Sequence, residues 1–280
     1  MHARRWIAFA GLVLLLISGC GGGSMTGTGT QQAGAVPVSG NWAFTPPIGS
    51  ISLPPFVGGS LTPAGNQVSA DVLVLLLTNS SCSLTGGLDT TLTGAVTNSA
   101  LKLTSAPWNG SVFTATGTVS SDGKTIPLSW SAKGGCADGL SGSMIASWVP
   151  PLTGTLTGTA SDTLTGTANP LTGSTVTLDL QQSATPEQFA FPLTGSITFP
   201  GAGCGFTSGN LIQLGDQIAL TPSTVIGDEW ALAAQMNDGK SLVVLAGAAD
   251  LVKPGQWIAA IAVSGGTCDG DGAAVTFTQN

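Results

Sequence analysis

The chain has 280 residues, 41 of them Gly and none Tyr, with only 8% charged side chains and a formal net charge of −7. An acidic surface without a basic patch repels nucleic acid and anionic headgroups, so no nucleic-acid partner is expected. Thr, Val, Ile, Phe and Trp favour pleated, half-buried surfaces, while Gly and Pro punctuate turns, so the composition points to an all-β protein.

At the N-terminus His2, Arg4 and Arg5 precede an uncharged apolar run from Trp6 to Ile17, the layout of a secretory signal. As a helix this run extends about 18 Å against a hydrocarbon core of about 30 Å, so a permanent transmembrane span is the weaker reading. Leu16-Ile17-Ser18-Gly19-Cys20 closes it. This stretch resembles the lipobox of bacterial lipoproteins: an aliphatic residue, two small residues and a cysteine. The resemblance implies removal of residues 1–19 as a signal peptide, a diacylglyceryl group on the Cys20 thiol and fatty acylation (palmitate) of the new amino terminus. With Gly21 rather than Asp next, it also implies delivery to the outer membrane, on the periplasmic face or the cell surface. Two or more acyl chains make a durable tether, so the membrane is the expected partner through Cys20. An ordinary secretory signal that happens to end in Cys is the alternative.

Residues 20–39 lack periodicity and bulky side chains, and bury too little to offset ordering entropy; they read as a flexible tether. Folding is expected to begin at Gly40-Asn41-Trp42-Ala43-Phe44. Two similar antiparallel β units then follow, sandwich or barrel-like, over 40–155 and 156–280. Predicted strands cover 68–77, 100–104, 112–119, 125–130, 144–148, 175–180, 189–199, 230–236, 241–245, 256–263 and 273–278. A short helix over 228–235 competes with one of them, and Pro127, which cannot donate to a ladder, suggests an edge or a bulge. The low-complexity stretch 152–174 spaces Leu152, Leu156, Leu164 and Leu171 among threonines; strands with an apolar inner face are favoured over an interdomain linker.

Four landmarks recur in order. Cys82 matches Cys204, and a tryptophan follows each, Trp108 and Trp230. Ser121-Asp122-Gly123-Lys124 matches Asn237-Asp238-Gly239-Lys240, and Gly134-Gly135-Cys136 matches Gly265-Gly266-Thr267-Cys268. Asp-Gly tolerates the positive φ of tight hairpin turns. With Cys20 lipidated, four cysteines allow three pairings, and the duplication selects Cys82 with Cys136 and Cys204 with Cys268. The Cys-bracketed units resemble those of uncharacterised bacterial envelope lipoproteins, a likeness that carries no activity.

Once residues 1–19 are gone, five lysines face 14 acids and no His or Arg remains. A Ser-His-Asp triad, a Cys-His dyad and an H-E-x-x-H zinc site are then excluded, as is an Arg-clamped nucleotide. Zinc on cysteines lacks close C-x-x-C spacing, so no metal or cofactor is expected. Ser121-x-x-Lys124 fits a penicillin-recognising nucleophile pattern but reads as a hairpin turn. Asp269-Gly270-Asp271 offers calcium too few ligands. A carboxylate pair running a hydrolase is the enzymatic alternative, but the acids read mostly as solvated turn residues. Trp108 and Trp230 are either duplicated core anchors or flat platforms for sugar rings. The expectation is a non-catalytic envelope lipoprotein with a structural or binding role, its partner a glycan or an envelope protein.

Overall fold

The computed structural model describes residues 38–279, apart from 51–53, 75–81, 83–88, 163–168, 213–222 and 254. The described chain forms two units, each an antiparallel β-barrel.

The first barrel comprises β1 (Gly40–Thr45), β2 (Phe56–Ala64), β3 (Gln67–Val74), β4 (Asp89–Thr97), β5 (Ala100–Ser105), β6 (Val112–Thr118), β7 (Thr125–Lys133) and β8 (Ser141–Val149). Each strand pairs with the next, and β1 closes on β8 from Asn41 opposite Val149 to Thr45 opposite Ile145. The logic shows best in β7. Ile126, Leu128, Trp130 and Ala132 are buried, while Pro127, Ser129, Ser131 and Lys133 are exposed, the period of two that a half-buried strand requires. Closure removes both sheet edges, so no strand needs charges to deter edge pairing. Pro127 is therefore neither on an edge nor at a bulge. It pairs with Ile145 on one side and on the other lies just beyond Gly117–Leu128, where the β6–β7 ladder has stopped and no N–H is needed. Val38, expected in the tether, is 1% exposed and accepts the Trp42 indole N–H at 3.2 Å, so the barrel begins slightly earlier.

The second barrel comprises β9 (Gly154–Ser161), β10 (Thr175–Gln182), β11 (Phe191–Thr198), β12 (Ser208–Ile212), β13 (Thr224–Ile226), β14 (Glu229–Met236), β15 (Leu242–Ala249), β16 (Gln256–Ser264) and β17 (Gly272–Gln279). β9 pairs with both β10 and β17, closing the wall. Of the stretch 152–174, 154–161 form the strand β9, where Leu156 is fully buried as an apolar inner face requires; Leu152 just before it and Leu171 in the turn ahead of β10 are also fully buried but lie outside strands, and Leu164 lies outside the described residues. The competing helix over 228–235 is the strand β14, whose Trp230, Leu232, Ala234 and Met236 face inward.

One place in this wall is shared by two short strands. β12 lies against Ala233–Met236 and β13 against Glu229–Ala231 of the same neighbour, β14. Ser223 knits the break between them. Its carbonyl accepts from Leu193 N–H of β11 at 2.7 Å, its Oγ donates to the Ile212 carbonyl at 2.9 Å, and the same Oγ accepts from Ala233 N–H at 3.3 Å. One buried hydroxyl thus does for two backbone groups what a continuous strand would have done.

Aromatic rings fill both interiors, and glycine makes room for them. A Cβ on Gly142 would stand 3.0 Å from Trp130 Nε1, and one on Gly158 would stand 3.2 Å from the Phe277 ring and 2.6 Å from the Thr276 carbonyl. Alternating large and small inward positions is how a small barrel packs solid. In the first barrel Phe44, Phe56, Phe113, Trp108 and Trp130 form a chain of ring contacts 5.5–6.4 Å apart.

Candidate functional site

In an up-and-down barrel, connections from odd to even strand positions all emerge at one end. Cys82 lies in the third-to-fourth connection and Cys136 in the seventh-to-eighth, and Cys204 and Cys268 hold the same two places in the second barrel. These connections are four places apart around eight, on opposite sides of a mouth about 16 Å wide. Both disulfides form, Cys82–Cys136 with Cα atoms 5.0 Å apart and Cys204–Cys268 with Cα atoms 5.3 Å apart. Each therefore straps one barrel mouth across its diameter.

The loops that carry the second cysteine of each pair match residue for residue. Gly134 N–H donates to Asp138 Oδ1 at 2.6 Å, and Gly265 N–H donates to Asp269 Oδ1 at 2.8 Å. Gly139 N–H reaches the Ala132 carbonyl as Gly270 N–H reaches that of Val263. Gly134, Gly135 and Gly139 have φ of 77°, 56° and 78°, against 81°, 66° and 88° for Gly265, Gly266 and Gly270. These left-handed values are where glycine carries no Cβ penalty. The cysteine itself moves by one place within this frame, Cys268 standing where Ala137 stands. A buried serine of the fifth-to-sixth connection faces each Gly-Gly loop: Ser111 Oγ donates to the Gly134 carbonyl at 2.8 Å, whereas Ser241 Oγ donates to Asp238 Oδ2 at 2.6 Å and lies 3.4 Å from the Gly265 carbonyl.

That serine corrects two of the four landmarks. The Asp122-Gly123 turn joins β6 to β7, the sixth and seventh places, whereas Asp238-Gly239 joins β14 to β15, the fifth and sixth. The counterpart of Asn237-Asp238-Gly239-Lys240-Ser241 is the loop Trp108-Asn109-Gly110-Ser111. Trp108 accordingly sits in a loop, while Trp230 lies inside strand β14. An Asp-Gly pair signals a tight hairpin but not which hairpin, so matching on it slipped by one.

Cys20 lies outside the described residues. Trp108 and Trp230 are 2% and 3% exposed and present no face to solvent. Ser121-Asp122-Gly123-Lys124 is a hairpin turn. There Ser120 Oγ and Lys124 N–H donate to Asp122 Oδ1 and hold its pKa below the ordinary value, while Lys124 Nζ lies 5.3 Å over the Trp148 ring. Asp269 is occupied by its own loop, and no cluster of three or more metal-ligating side chains occurs among the described residues.

Sequence reasoning missed two features of the second barrel. The two-residue turn between β13 and β14 carries Asp228, and Glu229 follows as the first residue of β14. Burial is the first cause pushing their carboxyls up, to about 6 and about 8, and for Glu229 the neighbouring Asp228 charge adds to it. Both side chains are half-buried; the pattern Gly-Asp-Glu-Trp reads as an ordinary solvated turn, so nothing local signals their loss of solvent. The two acids adjoin on one turn rather than facing each other across a cleft. Secondly, the indole N–H groups of Trp230 and Trp257, 3% and 1% exposed, have no acceptor.

No protein-family model matches the chain, and no curated protein matches it. Among solved structures it is similar to a crystal structure from Bacteroides fragilis described as "a putative outer membrane protein", at 10% identity over 87% of this chain and 98% of that one, with a TM-score of 0.22. A likeness of that size carries no argument about function.

Proposed function

We propose that this chain is a lipid-anchored, non-catalytic protein of the bacterial outer membrane, with a structural or binding role in the envelope. The observation that carries the reading is the lipobox-like Leu16-Ile17-Ser18-Gly19-Cys20 ahead of two disulfide-strapped barrels. Disulfides persist in oxidising compartments such as the periplasm and the cell surface, which agrees with export. A histidine-free mature chain supports a role without the common hydrolytic machineries. Stacking of sugar rings on Trp108 and Trp230 is not part of the proposal, since both rings lie in the barrel cores.

The test is metabolic labelling with an alkyne fatty acid, followed by fractionation and mass spectrometry of the N-terminal peptide. A diacylglyceryl-modified Cys20 at the mature N-terminus, lost in the Cys20→Ala variant together with outer-membrane recovery, is the expected result. A free Cys20 thiol with no attached fatty acid overturns it.

A further inference from the structure

Exposed apolar side chains carry information when they gather rather than scatter. Four large ones are exposed among the described residues, and three of them, Leu251, Val252 and Ile258, share one end of the second barrel. Leu251 and Val252, 39% and 53% exposed, lie in the sixth-to-seventh connection, between β15 and β16, so they stand at the end opposite the Cys204–Cys268 strap. Their exposure is built in. Val252 N–H and Lys253 N–H donate to Asp250 Oδ1 at 2.9 and 3.0 Å, and Asp250 N–H closes the loop on the Gln256 carbonyl at 2.9 Å. Ile258 extends the apolar surface along the outer wall two residues beyond Gln256, with Ala248 and Thr276 as its uncharged neighbours in register. Beyond Ala248 stands Glu229, whose carboxyl burial pushes up to about 8, so it brings little charge to this face at neutral pH.

We infer that this tip is a second membrane contact, in which Leu251, Val252 and Ile258 enter the interface of the bilayer that holds Cys20 while Lys253 reaches its phosphates. This contact presupposes the lipid anchoring proposed above. Residues 21–37 separate Cys20 from Val38, and a Gly-rich chain of that length spans about 23 Å root-mean-square and at most about 60 Å. β1 starts and β8 ends at the unstrapped end of the first barrel, and residues 150–153 lead into β9 at the unstrapped end of the second. In each barrel, then, the chain that leads back to the lipid joins the unstrapped end, and the tip stands at that end of the second. Tethering at such distances turns a contact too small to hold from solution into an intramolecular one. Apolar side chains dip into the headgroup boundary while a lysine beside them snorkels to phosphate. The surface that fits is zwitterionic, because the acidic chain is repelled by anionic headgroups.

The test uses the mature chain, residues 20–280, coupled through Cys20, the thiol that the two disulfides leave free, to maleimide-bearing lipid in phosphatidylcholine vesicles. The vesicles are made with and without bromine on the shallow acyl carbons. Chemical coupling supplies the tether whether or not cells acylate Cys20, so failure here is distinct from failure of the labelling experiment above. Val252→Trp places a fluorescent reporter at the tip, and Lys240→Trp places the same ring at the strapped end. The emission that Val252→Trp adds over wild type is expected to shift to the blue on coupling and to lose at least half its intensity to brominated lipid, with neither change for Lys240→Trp. Equal quenching at both sites, quenching at neither, or a blue shift without quenching, which signals contact with a second copy, would each overturn the inference. Should Val252→Trp fail to fold, amide exchange in the wild-type chain decides: slower exchange over 250–256 on coupling is expected, and unchanged exchange overturns it.

Discussion

If each disulfide is a strap across a barrel mouth, its removal should cost a stability that grows slowly, as a logarithm, with the chain it closes. Cys204 and Cys268 are separated by 64 residues, and for a loop of that length the chain-entropy model gives about 4 kcal/mol. Spread over the unfolding entropy of a barrel of about 130 residues, this is a fall in Tm of about 15 °C. The experiment is scanning calorimetry of the Cys204→Ala/Cys268→Ala double variant of the full chain. Alanine is the right replacement because both sulfurs are fully buried and a serine hydroxyl would add an unpaired polar group. The matching pair, Cys82→Ala/Cys136→Ala, closes 54 residues and should lose nearly as much, since the entropy depends on the logarithm of loop length. A fall below about 3 °C in both double variants would refute the reasoning: the loops would then be held by their Gly-Gly and Asp contacts, with the disulfides redundant.

Three further outcomes are expected. Mild reduction followed by alkylation and peptide mapping should label Cys82 and Cys136 first, because Cys204 and Cys268 are fully buried while the other pair is only partly so; simultaneous labelling counts against the burial. Glu229 keeps its proton in the folded chain from the ordinary 4.5 up to about 8, so stability should fall as pH rises through that window, by at most about 5 kcal/mol. Urea midpoints at pH 5 and pH 9 should show a clearly smaller drop in Glu229→Gln, Asp228 retaining its own share, and an unchanged drop refutes the assignment. Ser223→Ala strands the Ala233 N–H and the Ile212 carbonyl and should cost about 2 kcal/mol by urea unfolding; a neutral effect would mean the break between β12 and β13 is not held by that hydroxyl.

What the sequence disclosed was local. Alternation in Thr125–Lys133 names both its strand and its buried face, and the cysteines pair as duplication implies. β2 and β4 went unseen for a physical reason. Phe56-Val57-Gly58-Gly59-Ser60-Leu61-Thr62-Pro63-Ala64 carries two adjacent glycines and a proline, turn residues everywhere except opposite a bulky ring; Gly59 stands across from Trp42. β4 likewise has Gly94 where Leu103 crosses, and a Thr-rich outer face that resembles a linker. Barrel against sandwich stayed open because both give the same alternation, and closure depends on β1 meeting β8 across a hundred residues of chain, which no local pattern encodes. The repeat was visible but misaligned: the loops that truly correspond are set by Ser111 and Ser241 reaching the Gly-Gly loops, contacts between segments distant in sequence.

The two barrels also show where duplication was put to use. The fourth place of the first barrel is one continuous strand, Asp89–Thr97. In the second barrel the same place is split into β12 and β13; Asp228 in the turn that follows and Glu229 at the start of β14 are half-buried acids whose carboxyls desolvation pushes up. The next residue, Trp230, has one of the two unpaired indoles. Broken wall, half-buried acids and an orphan donor thus fall within one short stretch of chain, whereas in the first barrel the unpaired buried atom among the described residues is the isolated Ser60 hydroxyl. Random drift would scatter such costs over the fold, whereas strained and unsatisfied groups that persist together mark places where stability has been exchanged for function. The Gly-Gly loops of the strapped mouths, alike in both copies, are the scaffold; β12, β13 and Asp228–Trp230 are where the second copy departs from it.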